Sequence, residues 1–477
     1  MSTSNSSTAT TKKRPHILIF PYPAHGHTLS LLDLTHQLSL QNLTITILVT
    51  PKNLPTLSPL LSINPSIQTL TLLFPSHPKL PPGVENVKDL GPTGNVAIIS
   101  ALAQLFDPII AWFNSHPNPP VAIVSDFFLG WTLHLANKMG IPRLAFFSVG
   151  ALLASVSDFC WNNIVTVSGC EHVSFPCLPR SPVFKEEHLP SVFRLYREGD
   201  PDWELVKDGM LANTLSYGCV FNSFHALEGE YLDWVKLKMG QDRVFGVGPL
   251  SLVGPEYSWR GSSDPSNGGS VLTWLDGCLD GSVLYVCFGS QKLLNREQME
   301  ALASGLDKSG GRFVWVVKPG GTTRQVEDGY GVVPDGFEER VAGRGFVIRG
   351  WAQQVKILGH SAVGGFLSHC GWNSLMEGIV AGVMIMAWPM EADQFVNAKL
   401  LVEDMGVAVR ICEGADSVPD SDKLGRVIRE ALSEGGVQVR EKAKELRDEA
   451  LAAVRAGGSS KIDLDRLVNE FVNLKSV

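Results

Sequence analysis

Short apolar runs recur along this chain, each closed by a loop carrying glycine or proline and most followed by a stretch of helical periodicity. No other feature constrains the fold as strongly. The first run, His16-Ile-Leu-Ile-Phe20, leads into Pro21-Tyr-Pro-Ala-His-Gly-His27 and then into Leu29, Leu31, Leu32, Leu34 and Leu38, which predict a helix from about Thr28. Further strand-like runs lie at 44–49, 68–74, 121–125 and 143–147, with helical stretches at 95–112 and 130–139. Beyond Gly246-Val-Gly-Pro-Leu250 the alternation restarts. Strands are predicted at 283–288, 312–317, 346–349, 362–367 and 384–387, and helices at 295–306, from Trp372 and from Gln394. The aperiodic segment 320–334 reads as a mobile loop, and 423–454 and 461–471 as charged amphipathic helices. Strands alternating with helices pair in parallel and are covered on both faces. The fold class is therefore α/β, with two facing Rossmann-like doubly wound parallel-sheet lobes and an interlobe cleft. Ligands of such sheets bind beyond the carboxyl ends of the strands, so both lobes aim their loops into that cleft.

The expected units are a flexible tail (1–15), an N-terminal lobe (16–249), a linker (250–269), a C-terminal lobe (270–458) and a last helix (459–477) that packs back on the first lobe. With 40 Lys and Arg against 48 Asp and Glu, the net charge is −8 and no basic stripe exists, so nucleic acid is not an expected partner. The eight cysteines are scattered singly without a Cys-x-x-Cys pair, which suggests neither a zinc site nor a disulfide framework. No run approaches the length of a membrane span and no apolar signal core follows the N-terminal tail. A cytoplasmic, monomeric protein without a membrane span is expected.

The densest chemistry lies at 351–394. Its run 362–367 ends at Ser368-His-Cys-Gly371, and a helix opens at Trp372. A strand, a glycine turn and the exposed N–H groups of a helix start form an anion site. His369, Asn373 and Ser374 add side-chain donors suited to a diphosphate. Glu377 lies one turn beyond Asn373, where a carboxylate accepts from vicinal hydroxyls such as those of a ribose. Trp351 offers a flat face for a base, and Asp393 and Gln394 follow the next strand, within reach of sugar hydroxyls. Ser374 and Glu377 read equally as a helix-capping pair, and Trp351 and Trp372 as core aromatics.

Residues 351–394 resemble the signature box of plant family-1 UDP-sugar-dependent glycosyltransferases, enzymes of the two-lobed GT-B fold. The matching features are Trp-Ala-x-Gln at 351–354, His-Cys-Gly-Trp-Asn-Ser at 369–374, Glu377, and Pro-Met before Asp393-Gln394. The resemblance extends to Pro-x-Pro-Ala-x-Gly-His at 21–27, Val-Ser-Asp at 124–126, Gly246-Val-Gly-Pro-Leu250 and Phe288-Gly-Ser290, nearly the whole chain. It implies that Trp351 stacks on uracil, that Ala352 and Gln354 meet the base or ribose, and that Glu377 holds the ribose. It further implies that His369, Asn373, Ser374 and Ser290 bind the diphosphate, while Trp372, Asp393 and Gln394 contact the sugar. The chain departs from the family at Gln353 (often Pro), His25 (often Gln) and Ser30 (often Pro).

Transfer to an acceptor hydroxyl needs a base, and neutral imidazole suits neutral pH. By residue type His25 and His27 are both candidates. The resemblance places the base at His27 and its orienting carboxylate at Asp126, which also reads as a plain helix cap. His25, Phe127 and Phe128 are then expected at the acceptor. Trp131, Phe147, Phe159, Trp161 and Phe193 supply more aromatic surface, of which Trp131 and Phe147 read as core. Helix dipole and donors meet the diphosphate charge, and no Asp-x-Asp motif accompanies that turn, so no metal and no other cofactor is expected.

The function implied is inverting transfer of a sugar, glucose by the Asp393-Gln394 ending, from a UDP-sugar to a hydroxyl of a small aromatic such as a flavonoid. Use of UDP-rhamnose or UDP-xylose, attack by a ring carbon, and a non-catalytic nucleotide-sugar binder are the alternatives. A dehydrogenase lacks its Gly-x-Gly-x-x-Gly after the first strand, and a hydrolase its Gly-x-Ser-x-Gly elbow.

Overall fold

The computed structural model of the chain describes residues 14–91, 94–252 and 265–474. Most of the expected tail and much of the expected linker fall outside these residues. In chain order the strands are β1 (His16–Phe20), β2 (Thr44–Val49), β3 (Gln68–Thr71), β4 (Ala122–Asp126), β5 (Arg143–Phe147), a hairpin of β6 (His172–Ser174) and β7 (Val183–Lys185), β8 (Gly218–Phe221) and β9 (Val244–Gly246). The second half supplies β10 (Val283–Cys287), β11 (Arg312–Val317), β12 (Gly345–Arg349), β13 (Val363–Ser368), β14 (Met384–Ala387) and β15 (Ala408–Arg410).

A seven-stranded sheet runs β3-β2-β1-β4-β5-β8-β9 and a six-stranded sheet β12-β11-β10-β13-β14-β15. Every neighbouring pair in both sheets is parallel. Alternate side chains build the cores on the two faces. Ile17 and Ile19 join one apolar cluster, and Leu18 and Phe20 the other. Leu284 and Val286 likewise point opposite to Val283 and Tyr285. The two-lobed GT-B arrangement follows from these sheets.

The order of the strands positions the site. In the first sheet the direction of winding reverses between β1 and β4, and in the second between β10 and β13. At such a reversal the two connections leave on opposite faces and open a crevice at the carboxyl ends of the strands. At those ends stand His27, in the first turn of the helix that follows β1, and Asp126, the last residue of β4; the segments after β10 and β13 carry Ser290 and His369–Ser374.

Several elements differ from the sequence reading. The first helix begins at His25, not near Thr28, with Ala24 in an extended conformation ahead of it. The helix expected at 95–112 is two, Asn95–Ala103 and Phe106–Ser115. The segment 320–334 is not a bare loop: Thr322 and Gln325 form a reciprocal capping box on the helix Thr323–Glu327. Glycines 435 and 436 break the long charged helix into Ser421–Leu432 and Val437–Val454. Strands β8, β9 and β15 escape periodicity because they are only three or four residues long.

The helix Ser459–Asn473 lies against β9: Asp463 accepts from Gly246 N at 2.9 Å and Glu470 from the Tyr217 hydroxyl at 2.6 Å. Among the described residues no single helix is long and apolar enough to cross a membrane. The bent pair Asn95–Ala103 and Phe106–Ser115 passes such a test on length and composition, but Ile98, Ile99, Leu102 and Ile109 are core residues.

Candidate active site

On the first lobe, Asp126 ends β4 fully buried, and both its oxygens lie close to His27 Nδ1, at 2.9 and 3.1 Å. It also accepts from Phe128 N at 2.9 Å, so it caps the following turn and holds the histidine at once. A carboxylate only accepts, which puts the imidazole proton on Nδ1 and leaves Nε2 as a lone pair. Phe127 stacks on the His27 ring at 5.4 Å, while Tyr22 and Phe128 meet it at 5.3 and 4.8 Å. His25, two residues earlier, takes a different place: its ring stands edge-on to Trp351 of the other lobe, 5.3 Å between centroids.

Across the cleft, Cys370 turns the chain at φ 66° and Gly371 leads into the helix Trp372–Ala381. A β-carbon at Gly289 or at Gly371 would lie 2.7 Å from the His369 ring, so glycine is required at both. Burial pushes His369 down to about 4, and its Nδ1 is buried without a partner. A neutral ring beside a helix N-terminus gives a donor that holds no charge of its own. Asn373 spans the lobes: Nδ2 donates to Gly26 O at 2.9 Å and Oδ1 accepts from Ser30 Oγ at 2.7 Å. A β-carbon at Gly26 would lie 3.2 Å from that amide nitrogen, a tight approach that glycine relieves.

Trp372 lines the cleft, and its buried indole donates from Nε1 to Asn222 O of the first lobe at 2.9 Å. The Gln354 amide is committed too: Nε2 donates to Glu377 Oε2 at 2.8 Å and to Ser374 Oγ at 3.3 Å, and Oε1 accepts from the Tyr285 hydroxyl at 3.2 Å. Gln354 thus steadies Glu377. Trp351 is 46% exposed at the rim, with Ala352 beside it. Burial raises the Asp393 carboxyl, whose Oδ2 accepts from Asn397 at 2.6 Å, and Gln394 Oε1 accepts from the amides of Met390 and Glu391.

The family model described as "UDP-glucoronosyl and UDP-glucosyl transferase" matches residues 275–431. The chain is 56% identical to UDP-glycosyltransferase 89A2 of Arabidopsis thaliana, covering 96% of each chain. It is 48% identical to the Flavonol 3-O-glucosyltransferase UGT89B1 of the same plant, covering 97% of each. The chain belongs to the UDP-glycosyltransferase family. Crystal structures of Arabidopsis thaliana UGT89C1, 39% identical and covered over 96% of this chain and 100% of that one, superpose with a TM-score of 0.79 for the complex with UDP-L-rhamnose and 0.77 for that with quercetin.

One cleft of about 500 Å³ joins the two halves of this glycosyltransferase's site, lined by His25, His27, Phe127 and Phe128 from one lobe and Ser290, Trp351, His369, Ser374, Glu377, Asp393 and Gln394 from the other. Of the further aromatics, Trp131, Phe147, Trp161 and Phe193 are all core, Phe147 and Trp161 also reaching the cleft wall, and Phe159 packs on Phe175. Sequence reasoning missed Tyr285, an isolated hydroxyl in an apolar strand. It also missed Ser148, whose Oγ is buried without a partner at the cleft wall just past β5. Among the described residues no group of three His, Cys, Asp or Glu side chains is placed to hold a metal ion. Asp-x-Asp triplets do occur, away from the cleft: Asp200 and Asp202 pair with Lys79, Asp420 caps a helix and Asp463 meets Gly246.

Proposed function

We propose that this enzyme transfers glucose from UDP-glucose to a phenolic hydroxyl of a flavonol-type acceptor, with inversion at the anomeric carbon. The observation that carries the reading is the His27–Asp126 pair at one lobe's winding reversal, sharing a cleft with the anion turn at the other's. His27 Nε2 takes the acceptor proton as the acceptor oxygen bonds to C1 and the bond from C1 to the diphosphate oxygen breaks. Asp126 stabilises the resulting imidazolium. The diphosphate leaves onto the N–H groups that open the helix Trp372–Ala381, aided by His369, Ser374, Ser290 and the second amide hydrogen of Asn373. Trp351 and Ala352 take the base, Glu377 the ribose, and Asp393, Gln394 and Trp372 the sugar. A single displacement inverts α to β.

Residues 16–249 then form the acceptor lobe and 270–458 the donor lobe. Phe127 and Phe128 face a flat acceptor, and His25 steadies Trp351. Relatives support the acceptor class: one is named for flavonol glucosylation, and UGT89C1 was crystallised with quercetin. The UDP-L-rhamnose complex of that protein favours a second reading, UDP-rhamnose as donor. Eight free cysteines, one of them exposed, suit the cytoplasm.

The test is incubation with quercetin and each of UDP-glucose, UDP-rhamnose and UDP-xylose, read by product mass and acid lability. Glucosylation of a hydroxyl is expected to dominate; a dominant pentose or deoxyhexose product, or an acid-stable C-glycoside, refutes the reading. His27→Ala is expected to keep UDP affinity and lose about 10³ in kcat. Retained turnover would move the base away from His27.

A further inference from the structure

Arg143 opens β5 and is 1% exposed, a cation taken almost wholly out of water. Its acceptors are all neutral. Nε donates to Ser125 Oγ and Thr132 Oγ1, each at 2.9 Å. Nη1 donates to Ser216 Oγ at 2.7 Å, and both Nη1 and Nη2 reach Asn213 Oδ1 at 3.1 Å. Nη2 also lies 3.4 Å from the backbone oxygen of Asp126. Asn213 Nδ2 in turn donates to Phe127 O at 3.0 Å, so one buried network grips the last residue of β4 and the first residue of the turn that follows. Five neutral oxygens around one guanidinium satisfy its hydrogens but not its charge, and a buried charge is costly unless another balances it. A charge of the right sign stands on the neighbouring strand: the Asp126 carboxylate, itself fully buried.

We infer that Arg143 is a positioning residue for the base: its guanidinium balances the Asp126 carboxylate and fixes the turn behind it, keeping that carboxylate an acceptor for His27 Nδ1–H. This rests on the reading of His27 and Asp126 as base and partner. The other titratable groups around the pair do not take that part. Burial pushes the Tyr22 phenol far up and the Cys219 thiol to about 12, so both are neutral. Asp393, facing His27, is acidic and raised by burial, and Asp158 lies beyond Cys219. Burial brings Arg143 down to about 10, well above neutral pH, so its charge persists.

The test uses the full chain with UDP-glucose and quercetin, kcat and KM being measured across pH 5–9 and folding checked by circular dichroism. Removing a cation behind the pair raises its proton affinity, so Arg143→Gln is expected to move the acid limb of kcat/KM up by about one pH unit. Its kcat falls at least tenfold while KM for UDP-glucose holds. Arg143→Lys restores the limb. Asn213→Asp, isosteric with the native residue, presents a nearer carboxylate to the guanidinium and moves the limb the same way. That variant carries the test if Arg143→Gln does not fold. A loss of kcat equal at every pH, or a folded Arg143→Gln with native rates, overturns the inference. Turnover retained by His27→Ala would overturn the base assignment itself, and this inference with it.

Discussion

Two histidines two residues apart in the first turn of one helix meet different partners, and the proposed base assignment rests on that difference. His27 reaches a buried carboxylate; His25 meets an indole from the other lobe. Nothing in Pro21-Tyr-Pro-Ala-His-Gly-His27 separates them, since either spacing suits a residue at a helix start. Trp351 is the opposite case. An indole nearly half exposed among buried aromatics is available to a ligand, and the proposed role of Trp351 as the face for the base rests on that exposure. Trp351→Ala is expected to weaken UDP binding about tenfold, the loss of one stacking face, with Trp351→Phe recovering most of it; titration calorimetry with UDP reads both.

At the scale of elements, the site depends on how two helix starts meet. The helix His25–Ser39 has no side-chain cap, and Gly26 in its first turn lets the Asn373 amide of the facing helix approach. Ser30 completes the bridge from one turn further along. In the family this chain resembles, proline often stands at this position, and here a hydroxyl takes its place. Ser30→Ala removes one neutral hydrogen bond of about 1 kcal/mol, and KM for UDP-glucose is expected to rise about fivefold as Asn373 loosens, with Tm little changed. Initial-rate kinetics and a thermal melt separate the two effects. The donor turn itself was legible because strand, glycine turn and helix start are local. The Tyr285–Gln354–Glu377 chain was not, because its members come from three elements joined only by packing.

For the whole molecule, a second set of contacts ties the lobes together away from the cleft. His188 stacks on Phe395 at 4.3 Å and its Nε2 lies 3.1 Å from Glu413 Oε1; Lys185 stands 3.5 Å from the same oxygen. Arg180 reaches the Asp404 backbone oxygen at 3.1 Å. The His188 imidazole, with Arg410 and Lys185, holds the Glu413 carboxyl down at about 2. A carboxylate whose folded value is depressed contributes stability above its ordinary value near 4.3, and loses it as pH falls toward the folded value. Glu413→Gln is therefore expected to lower Tm by about 1–2 °C at pH 7, with the difference vanishing between about pH 4 and pH 2. Added salt should shrink it at pH 7, and differential scanning calorimetry reads both dependences.

What the sequence by itself determined is local: the alternation that demands parallel sheets, the strand, glycine turn and helix start around 368–372, and the residue types gathered there. Each arises within a span where periodicity or a fixed offset carries the information. Only the tertiary structure decided which histidine meets Asp126, 99 residues away, that the Trp372 indole turns to the first lobe, and that Arg143 lies buried behind the pair. Those outcomes follow from strand order. Setting β4 beside β1 and β13 beside β10 brings distant loops to the same edge, and no spacing along the chain encodes which strands become neighbours.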